Sequence, residues 1–145
     1  MLDSGPLGLV TNPKRSPINT VCANWLKNMV AAGTRIIVPE IADYEIRREL
    51  IRANKATGIA HLDALCRFLE YLPITTPAMR QAARMWAQAR QQGQPTAGDK
   101  TIDGDMILAG QAVSLEIPSL VIATTNVGHL SRFFPAELWT NITSE

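Results

Sequence analysis

Between residues 102 and 112 the chain reads Ile-Asp-Gly-Asp-Met-Ile-Leu-Ala-Gly-Gln-Ala, a helical stretch in which two acids open an otherwise almost wholly apolar run. A helix that is apolar nearly all round has to be buried. An acid it carries inward must be protonated, paired or bound to a cation, because an ionised carboxylate stripped of water is costly. Two more acids stand in apolar settings far away in sequence: Asp3 behind Met1-Leu2, and Glu45 in Ile41-Ala42-Asp43-Tyr44-Glu45-Ile46. A fold that gathers Asp3, Glu45 and Asp105 makes a site for a hard divalent cation.

Around that run, short β-branched segments alternate with helical periodicity, which predicts an α/β architecture. Met1-Leu2 reads as the stub of a first strand, residues 5–8 as a strand-to-helix turn and residues 11–17 as a loop. Val21, Trp25, Leu26, Met29 and Val30 recur at helical spacing over residues 18–32, and residues 35–38 read as a strand closed by Pro39. Helices are predicted over 40–54 and 59–71, a strand over 72–75, and a helix opened by Pro77 and running to about residue 92. Residues 93–100 form the longest polar, turn-rich stretch and read as a surface loop. Residues 120–124, apolar throughout, predict a buried parallel strand, and residues 138–142 a final edge strand. In open parallel sheets, sites collect at the carboxyl ends of the strands, where Asp3 and Asn126 both fall.

Helical geometry sorts the neighbouring acids. At 100° per residue Glu45 lies between Ile41 and Ala42, whereas Asp43 falls next to Arg47, so Glu45 is the predicted inward acid. Glu40 suits the exposed N–H groups at the helix start, and Glu49 lies near Glu45 on the wheel. Asp103 and Asp105 would be about 200° apart in a regular helix, which predicts one as N-cap and one as ligand: Asp103 and Asp105 respectively.

With 145 residues and 46% hydrophobic content, the chain suits one domain, residues 1–145, with a proper core. A net charge of +1 excludes a global basic field, so a polyanion would have to be held locally. Arg47, Arg48, Arg52 and Lys55 along one helix, with Lys14 and Arg15 in a loop, are the cations placed to do so. Cys22 and Cys66 lack the spacing of a zinc site and predict reduced thiols. No apolar stretch approaches the roughly 20 residues of a membrane helix, and a cytoplasmic protein without membrane contact is expected.

These residues resemble the PIN domains of VapC-type toxin ribonucleases over essentially the whole chain. Met1-Leu2-Asp3-Ser4-Gly5 is similar to the family's opening strand and first acid, and Val38 to Arg48 to its second motif with Glu45 at the acid position. Asp105 to Ala112 is similar to the third motif, and Val121 to Leu130 to the strand, threonine and polar residue that close the set. The resemblance implies a three-layer α/β/α sandwich with a central, mostly parallel sheet. It also implies a Mg²⁺- or Mn²⁺-dependent endoribonuclease in which metal-activated water hydrolyses a phosphodiester. Asp3, Glu45 and Asp105 would hold the metal, and Asp103 and Asn126 would assist. Arg47, Arg48, Thr124 and Thr125 would contact substrate. Asn126 departs from the four-acid pattern by supplying no charge. RNA is the implied substrate, with DNA also compatible, and a small antitoxin protein and a second copy of the chain are the implied partners. The alternative is a PIN-like RNA- or protein-binding module with weak or no catalysis.

Overall fold

In the computed structural model of the chain the described residues are 1–93, 99–128 and 130–144, the side chains of 99–102 excepted. Helices α1 (Ser4–Thr11) and α2 (Pro17–Ala31) come first, followed by strand β1 (Ile37–Pro39) and helices α3 (Glu40–Arg52) and α4 (Ala56–Phe68). Strand β2 (Glu70–Leu72) leads to α5 (Thr76–Gln91) and α6 (Asp99–Ser114), then β3 (Ile122–Thr124) and β4 (Ala136–Leu138), with short 3₁₀ turns at Leu130–Arg132 and Trp139–Asn141.

Local chemistry accounts for the helix starts. The Ser16 hydroxyl accepts from the Asn19 N–H at 3.3 Å with Pro17 next to it, and the Thr75 hydroxyl accepts from the Ala78 N–H at 3.2 Å with Pro77 in the first turn. At α1 the cap is Asp3, so residues 5–8 are helical and not the expected turn; Pro6 is tolerated because a first-turn residue needs no N–H partner.

Among the described residues, regular strand pairing is confined to two two-stranded parallel sheets, β1 with β2 and β3 with β4. Residues 1–3 run between them. Leu2 bridges Ala123 in parallel, its N–H donates to the Ile37 carbonyl at 2.9 Å, and the Asp3 N–H donates to the Ala123 carbonyl at 2.9 Å. This corrects the expected three-layer sandwich around a central, mostly parallel sheet: among the described residues each strand is only three residues long, and six helices carry most of the architecture.

Side chains alternate along these short segments. Met1, Ile37 and Ile122 join one core with Met85, Met106 and Leu108 of α5 and α6, while Leu2, Val38 and Ala123 join the other with Leu7, Cys22 and Leu62 of α1, α2 and α4. Burying that apolar surface is the principal stabilising term, at about 25 cal/mol per Å² removed from water. Burial also pushes the Cys22 thiol up to about 11; Cys66 is half-buried, and both cysteines are free.

Two boundaries differ from expectation. The pairing of Glu70–Leu72 with Ile37–Pro39 ends α4 at Phe68, so the second strand lies two residues earlier than the 72–75 pattern suggests. The expected edge strand over 138–142 is instead the end of β4 and a 3₁₀ turn, in which buried Trp139 packs on Trp25 with ring centroids 5.6 Å apart. The expected loop over 93–100 falls largely outside the described residues.

Candidate functional site

Asp3 ends the Met1–Asp3 segment, Glu45 lies in the second turn of α3 and Asp105 in the second turn of α6, and the charges of Asp3 and Asp105 both act on Glu45. Asp3 is fixed by local bonds. Its Oδ1 accepts from the Ser4 N–H at 2.7 Å, and its Oδ2 accepts from the Thr124 hydroxyl at 2.8 Å. Thr124, buried at the end of β3, therefore orients the acid, and the Asn126 N–H donates in turn to the Thr124 hydroxyl oxygen at 3.1 Å. Thr124, an expected substrate contact, holds Asp3 in place. Thr125 and Asn126 are exposed.

Glu45 is half-buried. Its carboxyl is raised above the ordinary range by burial and by the negative charge of Asp3; Arg48 opposes the shift and Asp105 adds to it. A Cβ at Gly104 would stand 2.9 Å from Glu45 Oε2, the movable end of a side chain. Asp105 is half-buried on α6. Among the described residues, no group of three or more His, Cys, Asp or Glu side chains forms a metal centre.

The remaining sequence candidates separate. Asp103 is not the N-cap, because α6 begins at Asp99; it sits one turn in, exposed, beside Met79, Trp86 and Met106. Arg47 is committed to two acids, Asp43 with its Nη2 at 2.9 Å and Asp63 with its Nη1 at 2.7 Å. Arg48 lies 5.1 Å from the Tyr44 ring centroid. The wheel placed Asp43 beside Arg47 correctly, yet Asp43 is the more buried acid, because the Tyr71 hydroxyl donates to it at 2.8 Å from β2. Glu40 does not merely soften the helix start: its Oε1 accepts from the Ile74 N–H at 2.7 Å and ties α3 to the entry of α5. Glu49 points away and pairs with Arg52 at 2.9 Å. Sequence reasoning missed Gln111, a wholly buried amide whose signal was its isolation in an apolar run.

No protein-family model matches the chain, and no curated protein does either. Solved structures do share its fold from end to end. A chain in the crystal structure of VapBC2 from Rickettsia felis bound to a DNA fragment from their promoter is 17% identical, with a TM-score of 0.70 over 96% of this chain and 97% of that one. A chain of FitAcB from Neisseria gonorrhoeae is also 17% identical, with a TM-score of 0.69 over 97% of this chain and 98% of that one.

These findings correct the expected assignment to PIN-domain ribonucleases, and with it the metal-dependent endoribonuclease activity. No family model carries the membership, and what the comparisons support is a fold shared with chains of VapBC2, described with promoter DNA, and of FitAcB. Some of the motif residues have a structural use of their own, and others do not sit as a catalytic set would. Asp3 caps α1, Asp103 lies inside a helix on its exposed side, Thr124 positions an acid, and Asn126 is neutral. Among the described residues no helix is long and apolar enough to cross a membrane.

Proposed function

We propose that this chain is the partner-binding component of a two-protein complex of toxin–antitoxin type, and that the complex engages DNA of its own promoter. The observation that carries this reading is the end-to-end fold correspondence with a chain of VapBC2, at a TM-score of 0.70. A second feature supports a protein partner. Val10, Leu26, Val30, Leu65 and Phe68 line an open groove of about 510 Å³ between α2 and α4, and Phe68 is 73% exposed. An exposed apolar groove of this kind suits the apolar face of an amphipathic helix. Co-expression with the product of the adjacent reading frame is expected to yield one complex by size-exclusion chromatography with light scattering, and that complex is expected to retard a labelled fragment of the shared promoter. A chain that elutes alone beside the co-expressed product, with no retarded promoter DNA, overturns the reading.

We propose a second, separate role for the carboxylate pocket: Asp3, Glu45 and Asp105, which form no metal-holding group as they stand, would close on Mg²⁺ or Mn²⁺ when the ion is supplied. The favouring observation is that burial and two neighbouring acids already disfavour the ionised form of Glu45. Hard oxygen donors suit these ions, and a bound cation would supply the missing positive charge. The sign of the pH effect follows. A carboxyl whose folded pKa is raised binds its proton more tightly in the native state, so stability is highest where it is protonated and falls as pH rises through the unfolded value towards the folded one. Glu45→Gln is therefore expected to raise the melting temperature at pH 7 in chelator and to flatten its pH dependence above about pH 4. Millimolar Mn²⁺ is expected to raise the melting temperature of the unmodified chain and not that of Glu45→Gln. Equal Mn²⁺ shifts in both proteins rule out the cation site.

A further inference from the structure

At the amino ends of β1 and β3, the far end of these strands from Asp3 and Thr124, a cleft of about 380 Å³ opens between α2 and the segment leading into β3. Its walls reach the strands themselves. Leu2, Ile36, Ile37 and Ala123 line it together with Met29 of α2, and all are buried. Half-buried Trp25, Ile117 and Ile142 add to the apolar lining. Among the described residues no carboxylate stands on that lining, and its one cationic side chain is Arg35. Arg35 belongs to two settings at once. It lines the cleft, and it grips the carboxylate of Glu70 on the neighbouring β2 with two donors, Nε at 2.6 Å to Oε2 and Nη2 to Oε1. The side chains are 59% and 41% exposed, so the pair stands in water and exchanges readily. Thr34 and Ser119 bring hydroxyl-bearing side chains to the same lining. An apolar cleft of this volume with a few polar groups has the make-up of a small-molecule site.

We infer that this cleft binds a small aliphatic monocarboxylate, with the alkyl chain between Trp25, Met29 and Ile117 and the carboxylate on Arg35 in place of that of Glu70. The guanidinium fork already donates to a carboxylate in the two-bond geometry that a ligand would use. Trading one exposed carboxylate for another changes the charge pair little, so the chain has to supply the affinity. The cleft supplies it by taking methylenes out of water, each one tightening binding about fourfold. Methionine and isoleucine walls suit a flexible chain. A lining with a cation and no acid favours an anionic head group over an amine of the same length. The cleft shares no lining residue with the groove between α2 and α4, so the inference stands apart from the proposed protein complex.

Isothermal titration calorimetry of the purified chain with hexanoate, octanoate and decanoate, and with 1-octanol and octylamine as head-group controls, tests the proposal. Affinity is expected to rise about fourfold per added methylene until the chain outgrows the cleft. Octanoate should bind more tightly than either control. Arg35→Gln is expected to weaken octanoate about fivefold and leave octanol unchanged, a loss that shrinks at high salt. Glu70→Gln has the opposite sign: with the competing carboxylate gone, octanoate should bind about fivefold more tightly. A pair that served stability alone would move both variants the same way. Ile117→Trp, which fills the cleft, is expected to abolish binding of octanoate and octanol alike. Circular dichroism of each variant confirms that the fold is retained. No binding of any alkanoate by the unmodified chain overturns the site, as does an octanoate affinity that is the same in Arg35→Gln, Glu70→Gln and the unmodified chain.

Discussion

Gln111→Leu is expected to lower stability by about 2–4 kcal/mol, from two buried backbone groups each left without a partner at about 1–2 kcal/mol. Gln111 is fully buried in α6, where its Oε1 accepts from the Ile41 N–H at 3.2 Å and its Nε2 donates to the Leu72 carbonyl at 2.9 Å. One amide thus joins the first turn of α3 to the end of β2. Leucine has similar bulk, so the loss is of hydrogen bonds and not of volume. Urea unfolding should show a lower midpoint with an unchanged slope, which marks a change in stability and not in compactness. The same substitution frees the start of α3, the helix that carries Glu45, and should blunt the Mn²⁺-dependent rise in melting temperature. A variant as stable as the unmodified chain would mean that water satisfies both groups, and that Gln111 does not set the position of α3.

Much of this organisation could be read from the sequence where local chemistry and periodicity agree. Helices α2, α3 and α5 carry apolar residues at helical spacing, and Pro39-Glu40 and Pro77 mark two of their starts without tertiary context, while the Ser16 and Thr75 caps sit in stretches that read as a loop and a strand. Helix α1 was hidden because its cap, Asp3, also looked like a ligand, and a residue cannot announce from sequence which of two compatible roles it plays. Strand β2 was misplaced because three-residue strands are defined by their partner, and Glu70, an unlikely strand former alone, is held opposite Ile37 with its side chain on Arg35. The conflict between charge and apolar surroundings at Asp3, Glu45 and Asp105 was legible, and the charges of Asp3 and Asp105 do act on Glu45. The hold of Thr124 on Asp3 was not, since the two residues lie far apart in the chain. Arg47 shows the same limit: the wheel put it beside Asp43, but only the packing of α4 adds Asp63 and removes the guanidinium from the surface set.

Gly110→Val is expected to cost about 3 kcal/mol or more, because overpacking here meets backbone and not a movable side chain. A Cβ at position 110 would run into the carbonyl oxygen of Ala78 and lie 3.2 Å from the Ala82 nitrogen. Neither can turn aside, since both belong to the backbone of α5. Relief requires α5 and α6 to separate along the core that holds Ala82, Met85, Met106 and Ala109, all buried. The gain in helix propensity on replacing glycine, at most about 1 kcal/mol, does not offset this. Gly58→Ala supplies the contrast: its new Cβ would meet the Leu50 Cδ2 at 2.8 Å, the far end of a side chain that can change rotamer, so little loss is expected. Thermal unfolding of the two variants separates the cases, with a drop of about 6–12 °C for Gly110→Val at about 2–4 °C per kcal/mol in a domain of this size. Because α6 also brings Gly104 against Glu45, the separation should move the pocket acids apart and weaken the influence of Asp105 on Glu45, an effect that NMR titration of the Glu45 carboxyl would register as a return towards its ordinary range. Equal stability of Gly110→Val and the unmodified chain would show that the α5–α6 contact yields freely, and that close helix packing does not set the geometry of the pocket.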